Sequence, residues 1–393
     1  MTQTVHNPDQ YMADLRQVLA QGRKRIGLLI GAGAPSGIQM PRTGGSTEPL
    51  IPATLELTKQ VIRALDADYG LVLRGLAEDL GGSPNIEQVL TRARALGDTL
   101  GAHEVHGLNG KRYSELESAL CTQIHKHVDV RLPEGPNPYS TLASWIGGTP
   151  RDHAVEVFTT NYDLLMEEAL ERARVPYFDG FSGSKEPFFD PATIVNGDLP
   201  PRWARLWKLH GSIGWSENEN GAIVRLPGNA CIYPTDRKYD LTRKLPYAAL
   251  IDRLRAFLGL PDTILLSCGF SFSDAHLSAV LDESLAGNPA ATVLAFQFRP
   301  LAEEPAAVRL ATDRANLSVY APDAAVINCI RAPWVPSDLP HVAWAPIRAS
   351  FWLSKDNKFT LGDFSNLITY VALTRADQRR SDDDVEATGT SKP

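Results

Sequence analysis

Short apolar runs alternate with helical patterns along most of this chain, and that alternation constrains its fold more than any other feature. RIGLLIGAG at residues 25–33 is followed by strand-like runs at Val155–Thr159, Ala204–Leu209, Thr263–Cys268, Thr292–Phe298 and Leu317–Tyr320. Helical spacing precedes the first run at 11–24 and recurs between later ones at 163–173, 247–258, 274–285 and 303–315. RIGLLIGAG, a continuous apolar run ending in glycines, reads as a buried parallel strand, and strand and helix alternating at this spacing argue for a parallel sheet. The fold class expected is therefore α/β, a doubly wound Rossmann-like parallel sheet. Between about 47 and 150 no convincing strand appears, which points to an inserted helical module. Within it, SPNIEQVLTRARALG reads as a helix with Ser83 as N-cap, Pro84 in the first helical position and Gly97 near its stop. The divisions expected are an N-terminal helix (1–24), a core (25–330) carrying the insertion, and a C-terminal segment (331–393). The last residues, TRADQRRSDDDVEATGTSKP, have the composition of a disordered tail.

Composition excludes several classes. At 43% hydrophobic and 22% charged, the 393 residues have the balance of a soluble globular protein. A net charge of −7 disfavours a dominant nucleic-acid-binding surface. No apolar run approaches the roughly 20 residues of a membrane span, and MTQTVHNPDQ lacks the pattern of a signal peptide, so a cytoplasmic location is expected. The four cysteines, Cys121, Cys231, Cys268 and Cys329, form no CxxC pair. Zinc held by paired thiolates is not expected, and all four read as reduced, buried, small apolar residues.

Four segments share one placement: each follows an apolar strand and carries glycine or small polar residues. In open α/β sheets ligands bind at the carboxyl ends of strands. IGAGAPSG (30–37) offers Gly31 and Gly33, whose backbone amides suit a phosphate, but its spacing departs from GxGxxG because Gly37 falls one place late. Taken alone, it is as consistent with a tight turn. TTNYD (159–163) sets Thr160, Asn161 and Asp163 between strand and helix; a cap accounts for one of them, not for the row. LWKLHGSIGW (206–215) places His210 at a strand end beside Gly211, where a structural histidine and a general base are alternatives. ILLSCGFSFSDAHL (264–277) presents Gly269, Ser271 and Ser273, with Ser273 or Asp274 capping the next helix.

In this order the four segments resemble the sirtuin family of NAD-dependent enzymes. Gly31-Ala32-Gly33 matches that family's phosphate loop. SGIQMPR parallels Ser-Gly-Ile-Pro-Asp-Phe-Arg, keeping Ser36, Gly37, Ile38 and Arg42. TTNYD matches Thr-Gln-Asn-Ile-Asp, and Leu209-His210-Gly211-Ser212 matches the catalytic histidine segment. The resemblance spans roughly 25–330 apart from the insertion. Three departures stand out: the two CxxC pairs of the zinc module are missing, Met40 replaces an acidic residue, and Pro35 stands where a serine is usual. With these losses the chain looks like bacterial sirtuin-like proteins that consume NAD in antiphage defence.

The resemblance implies NAD as substrate, no zinc, and catalysis by Asn161 and His210. It assigns cofactor binding to Gly31, Ala32, Gly33, Ser36, Arg42, Thr160, Asp163, Gly269 and Ser271. Asn161 would orient a water and hold the ribose hydroxyls, Asp163 would bind the nicotinamide carboxamide, and His210 would take a proton. The implied reaction is NAD hydrolysis to nicotinamide and ADP-ribose. The alternatives are an NAD or ADP-ribose sensor without turnover, a deacylase, or an ADP-ribosyltransferase. A homo-oligomer is expected, and related systems suggest a HerA-type ATPase partner in a large ring; no membrane and no direct nucleic-acid contact is implied. Other motifs weigh little. GLNGKR lacks the full P-loop pattern, no GxSxG elbow occurs, and Trp203, Trp207 and Trp215 read as packing residues. His103, His106, His125 and His127 read as solvated.

Overall fold

The structure is a computed structural model that describes residues 4–373 apart from 21, 43, 149–150, 198, 221 and 227–244. Cys231 and the tail from 374 lie outside the described residues.

The main sheet has nine strands: β1 (Arg25–Ile30), β2 (Glu156–Thr159), β3 (Tyr177–Phe178), β4 (Ala204–Lys208), β5 (Thr263–Cys268), β6 (Thr292–Phe296), β7 (Leu317–Tyr320), β8 (Ala324–Ile327) and β9 (Ile330–Pro333). Their spatial order is β9-β8-β7-β6-β5-β1-β2-β4-β3. Seven strands from β7 to β3 run parallel, and β8 and β9 extend one edge antiparallel. The chain leaves β1 for β2 on one side, runs to the edge strand β3, fills in β4 between β2 and β3, then returns to β5 on the other side of β1. That reversal makes a topological switch point between β1 and β5, the place where such sheets open a ligand crevice.

The sheet is doubly wound because its buried strands alternate side chains between two apolar layers. One layer takes Leu28, Ile30, Val157, Leu206 and Leu266. Against it pack α1 (Pro8–Ala20), the insertion and α8 (Leu165–Arg172). The other takes Leu29, Phe158, Trp207 and Leu265, covered by α10 (Tyr247–Gly259), α11 (Ala275–Gly287) and α12 (Pro305–Asp313). The short α2 (Gly33–Ser36) and a small hairpin (Gln39–Pro41 with Thr47–Pro49) follow β1, and the short α9 (Pro191–Asn196) lies between β3 and β4.

The insertion is helical, as the sequence implies: α3 (Thr54–Ala64), α4 (Asp66–Asp79), α5 (Ile86–Leu100), α6 (Gly110–Val128) and α7 (Pro138–Gly148). Its details differ from the sequence reading. Asn85, not Ser83, caps α5: its side chain accepts from the Gln88 amide while the Gln88 side chain returns to the Asn85 amide. That reciprocal box satisfies two helix-end donors, which Ser83 cannot do from outside the first turn. Gly97 lies in the last turn of α5, near its stop as read, where a Cβ would come to 3.1 Å of Ser114 Oγ on α6, and Gly101 follows as the C-cap. The insertion is fastened to α8 by the Leu132 amide on Glu168 (2.9 Å) and by Arg172 on the Leu132 carbonyl (3.1 Å).

The chain ends pack on each other. Asp9 is wholly buried and receives Arg348 Nη2 at 2.6 Å and Trp344 Nε1 at 2.9 Å, so α1 and the segment after 331 form one layer. Cys121 and Cys268 are buried as expected; Cys329 is not, because it sits with Asn328 in a left-handed two-residue turn between β8 and β9. His106 is not simply solvated but lies 3.1 Å from Asp79.

Candidate functional site

Strand register brings the four segments to one rim. Ile30 is level with Thr159 on one side and Cys268 on the other, and Thr159 is level with Lys208. The residues just beyond, Gly31, Thr160, Leu209 and Gly269, therefore leave the sheet side by side at its carboxyl edge. Asn161 and His210 each stand two residues past a paired position on the neighbouring strands β2 and β4.

The glycine loops of β1 and β5 are pressed together. A Cβ on Gly31 would run into the Gly269 carbonyl and come within 2.8 Å of Phe270 Cα; one on Gly33 would come within 2.8 Å of Gly269 Cα. Gly269 itself has φ +69°, a left-handed conformation open to glycine. The amides are engaged too: Gly31 donates to the Cys268 carbonyl and Gly33 to that of Gly269, both at 3.0 Å. Here they stitch β1 to β5, and α2 is one turn long, so no extended helix presents its positive end at this loop. Ala32 adopts helical angles at the entry to α2. Ser36 Oγ donates to the Gly33 carbonyl at 2.8 Å. Arg42 stands on an exposed hairpin, 3.5 Å from Glu48.

The row after β2 divides its work. The Thr160 amide donates to the Ile30 carbonyl (3.2 Å), and the Thr159 hydroxyl to the same oxygen (2.9 Å). Asn161 is 8% exposed; its Nδ2 donates to the Gly31 carbonyl at 3.2 Å, tying the loops after β1 and β2 together. Beside it lies the buried hydroxyl of Tyr139 from α7, which meets no partner at hydrogen-bonding geometry among the described residues. Burial holds that phenol well above its ordinary range. The Tyr162 hydroxyl donates to Glu87 of α5 at 3.2 Å. The insertion thus contributes a wall to the candidate site, and Phe364 of the C-terminal segment packs on Tyr139 with ring centroids 5.2 Å apart.

Asp163 turns inward: its Oδ1 accepts from the Leu165 amide at 3.0 Å, closing the turn into α8. Behind it sits Lys208, 1% exposed, whose Nζ donates to the Asp163 carbonyl and lies 3.4 Å from Glu167. Burial raises both carboxyls, Glu167 to about 6, with Lys208 opposing the rise. The Lys208 charge is what allows two carboxyls this deep behind one strand end. Asp163 thus has a structural role in the turn into α8, as the helix-start reading of the sequence allows.

His210 reaches across the rim. Its Nε2 lies 3.1 Å from Asp274 Oδ2, and both side chains are nearly buried. Its Nδ1 is buried without a partner among the described residues. Gly211, at φ +90°, turns the chain sharply after it. Ser271 is exposed, its hydroxyl 3.1 Å from that of Ser273. Among the described residues no group of three or more His, Cys, Asp or Glu is placed to hold a metal ion, and no helix is long and apolar enough to cross a membrane.

A family model described as a SIR2-like domain matches residues 155–319. The match takes in the Asn161, His210 and Gly269 segments and stops short of the glycine loop at 31–33. A comparison with curated proteins returned no match. Remote likeness extends to solved Sir2 structures. A Sir2 homologue mutant in complex with ADP-ribose shares 14% identity at TM-score 0.32, over 74% of this chain and 87% of that one. A structure from work on the mechanism and regulation of Sir2 enzymes gives 14% and 0.33, over 76% and 90%. A Sir2 homologue–NAD complex gives 15% and 0.29, over 77% and 88%. Sequence reasoning named the rim residues but missed Tyr139, Lys208 and Glu167, and it saw Asp274 only as a cap.

Proposed function

We propose that this chain hydrolyses NAD to nicotinamide and ADP-ribose. The observation that carries the reading is the convergence of Asn161 and His210 at one strand rim, beside the crevice between β1 and β5 and inside the segment matched by the SIR2-like family model. Water attacks the ribose carbon bonded to nicotinamide, the glycosidic C–N bond breaks with its electron pair going to the ring, and a proton is released. Asn161, whose Nδ2 is held by Gly31, keeps its side-chain oxygen for a water or a ribose hydroxyl. His210 takes the proton from that hydroxyl or water. Asp163 Oδ1 holds the Leu165 amide in the turn into α8 and so sets the angle at which the Asn161 loop leaves β2. Gly31 and Gly33, whose amides already donate to carbonyls at the end of β5, contribute closeness of backbone, leaving phosphate contacts to groups such as Gly269 and Ser271.

Water is the acceptor in this reading because no CxxC-based module stands after His210 to shape a peptide groove. The proposed setting is the cytoplasm, in an antiphage NAD-depleting effector that assembles as a homo-oligomer with a HerA-type ATPase. Incubating the purified chain with NAD, with and without such a partner, tests the reading. Nicotinamide and ADP-ribose should appear in equal amounts, and Asn161→Ala and His210→Ala should each lower the rate by about a hundredfold to ten-thousandfold. Full turnover in either variant contradicts the assignment, and NAD-dependent deacylation of an acetyl-lysine peptide would favour the deacylase alternative.

A further inference from the structure

The geometry points to Asp274 as the positioning residue for His210, fixing its imidazole with the proton on Nε2 and the lone pair on Nδ1. What His210 does with that lone pair rests on the function proposed above; the proton's location does not.

The contact is not between sequence or sheet neighbours. His210 follows β4 and Asp274 follows β5, with β1 and β2 between them, yet Nε2 and Oδ2 come within 3.1 Å. Asp274 is fixed from the other side as well. Its Oδ1 accepts from the amides of His276 (2.9 Å) and Leu277 (3.1 Å) at the start of the 13-residue helix α11. Those donors and the helix end favour the anionic carboxylate. The loop that delivers it is held by Phe272, buried at φ +58°, whose carbonyl accepts from Ser278 Oγ at 2.8 Å. A carboxylate anchored this way, facing Nε2, retains the imidazole proton at Nε2. That leaves Nδ1 as an acceptor, and Nδ1 is the buried nitrogen without a partner among the described residues. An orphaned buried acceptor is a costly feature in a protein interior and marks a position that a ligand hydroxyl can satisfy.

Asp274→Asn separates this role from helix capping. The two amide donors of α11 hold Oδ1, so the asparagine keeps its oxygen there and turns its NH2 toward Nε2. Nε2 must then accept, and the imidazole proton moves to Nδ1. With selectively 15N-labelled histidine, and signals assigned by their loss in His210→Ala, long-range proton–nitrogen correlation spectra should show the Nε2–H form in the wild type. The variant should show the Nδ1–H form, with its melting temperature nearly unchanged. In the NAD assay its kcat should fall on the order of a hundredfold or more with little change in KM. An Nδ1–H wild type, or an unchanged tautomer in the variant, overturns the assignment whatever the enzyme does; so does turnover equal to or above wild type. The expected tautomers in a protein that never consumes NAD would leave the assignment standing and count against the proposed reaction.

Discussion

Glu167 lies 3.4 Å from Lys208 behind the Asn161 loop, with its second carboxylate oxygen buried and unpartnered among the described residues. Burial is the main cause of its raised pKa, from 4.5 to about 6, with Lys208 limiting the rise. Between those two values the folded protein holds a proton that the unfolded chain has released. Stability from this group is therefore complete below about pH 4.5 and is lost as pH climbs through 6. The rise corresponds to about 2 kcal/mol at 1.36 kcal/mol per pH unit. Glu167→Gln keeps the shape and cannot titrate. Urea denaturation of both proteins from pH 4 to 7.5 should show the variant gaining on the wild type by about 2 kcal/mol across that range. The offset at any one pH also contains the loss of a countercharge for Lys208, so the prediction lies in the slope. A difference that is flat, or that shrinks with rising pH, would refute the buried-carboxylate argument.

Gly269→Ala should destabilise the fold by about 1–3 kcal/mol, since its Cβ meets the Ala34 amide nitrogen in a backbone that already requires φ +69°; thermal melting reads this directly. Asn85→Ala should cost about 1 kcal/mol in denaturant unfolding while Ser83→Ala is near neutral, the reverse of what the sequence alone suggests.

The sheet was legible because short strand-like runs alternate with helical patterns and several are closed by glycine or polar clusters. Thr263–Cys268 and Leu317–Tyr320 match the observed strands end to end, whereas Phe298 falls outside β6 because the chain turns away after Phe296. The two-residue β3 carries too little pattern to be seen. At the rim, residue type announced Asn161 and His210, but nothing in the sequence told which groups each would face. The His210–Asp274 pair joins positions 64 residues apart across two intervening strands, a relation that only topology creates. The sequence offers Gly31 and Gly33 as backbone that approaches a ligand closely, but it cannot show that Gly269 is packed against them. Lys208 ends a strand that also carries Arg205, and nothing in ARLWK tells that its ammonium is buried behind Asp163. Tyr139 was invisible for a simpler reason: the insertion carries no motif, and its docking on α8 is what brings that ring to Asn161.

The central claim is that the loops after β1, β2, β4 and β5 surround one dinucleotide. A crystal structure of the protein with ADP-ribose tests it most directly. The account predicts the ribose next to Asn161, with a hydroxyl on His210 Nδ1 and the pyrophosphate above the Gly31–Gly269 seam. Ordered ADP-ribose bound elsewhere, with Asn161 and His210 untouched, would contradict it.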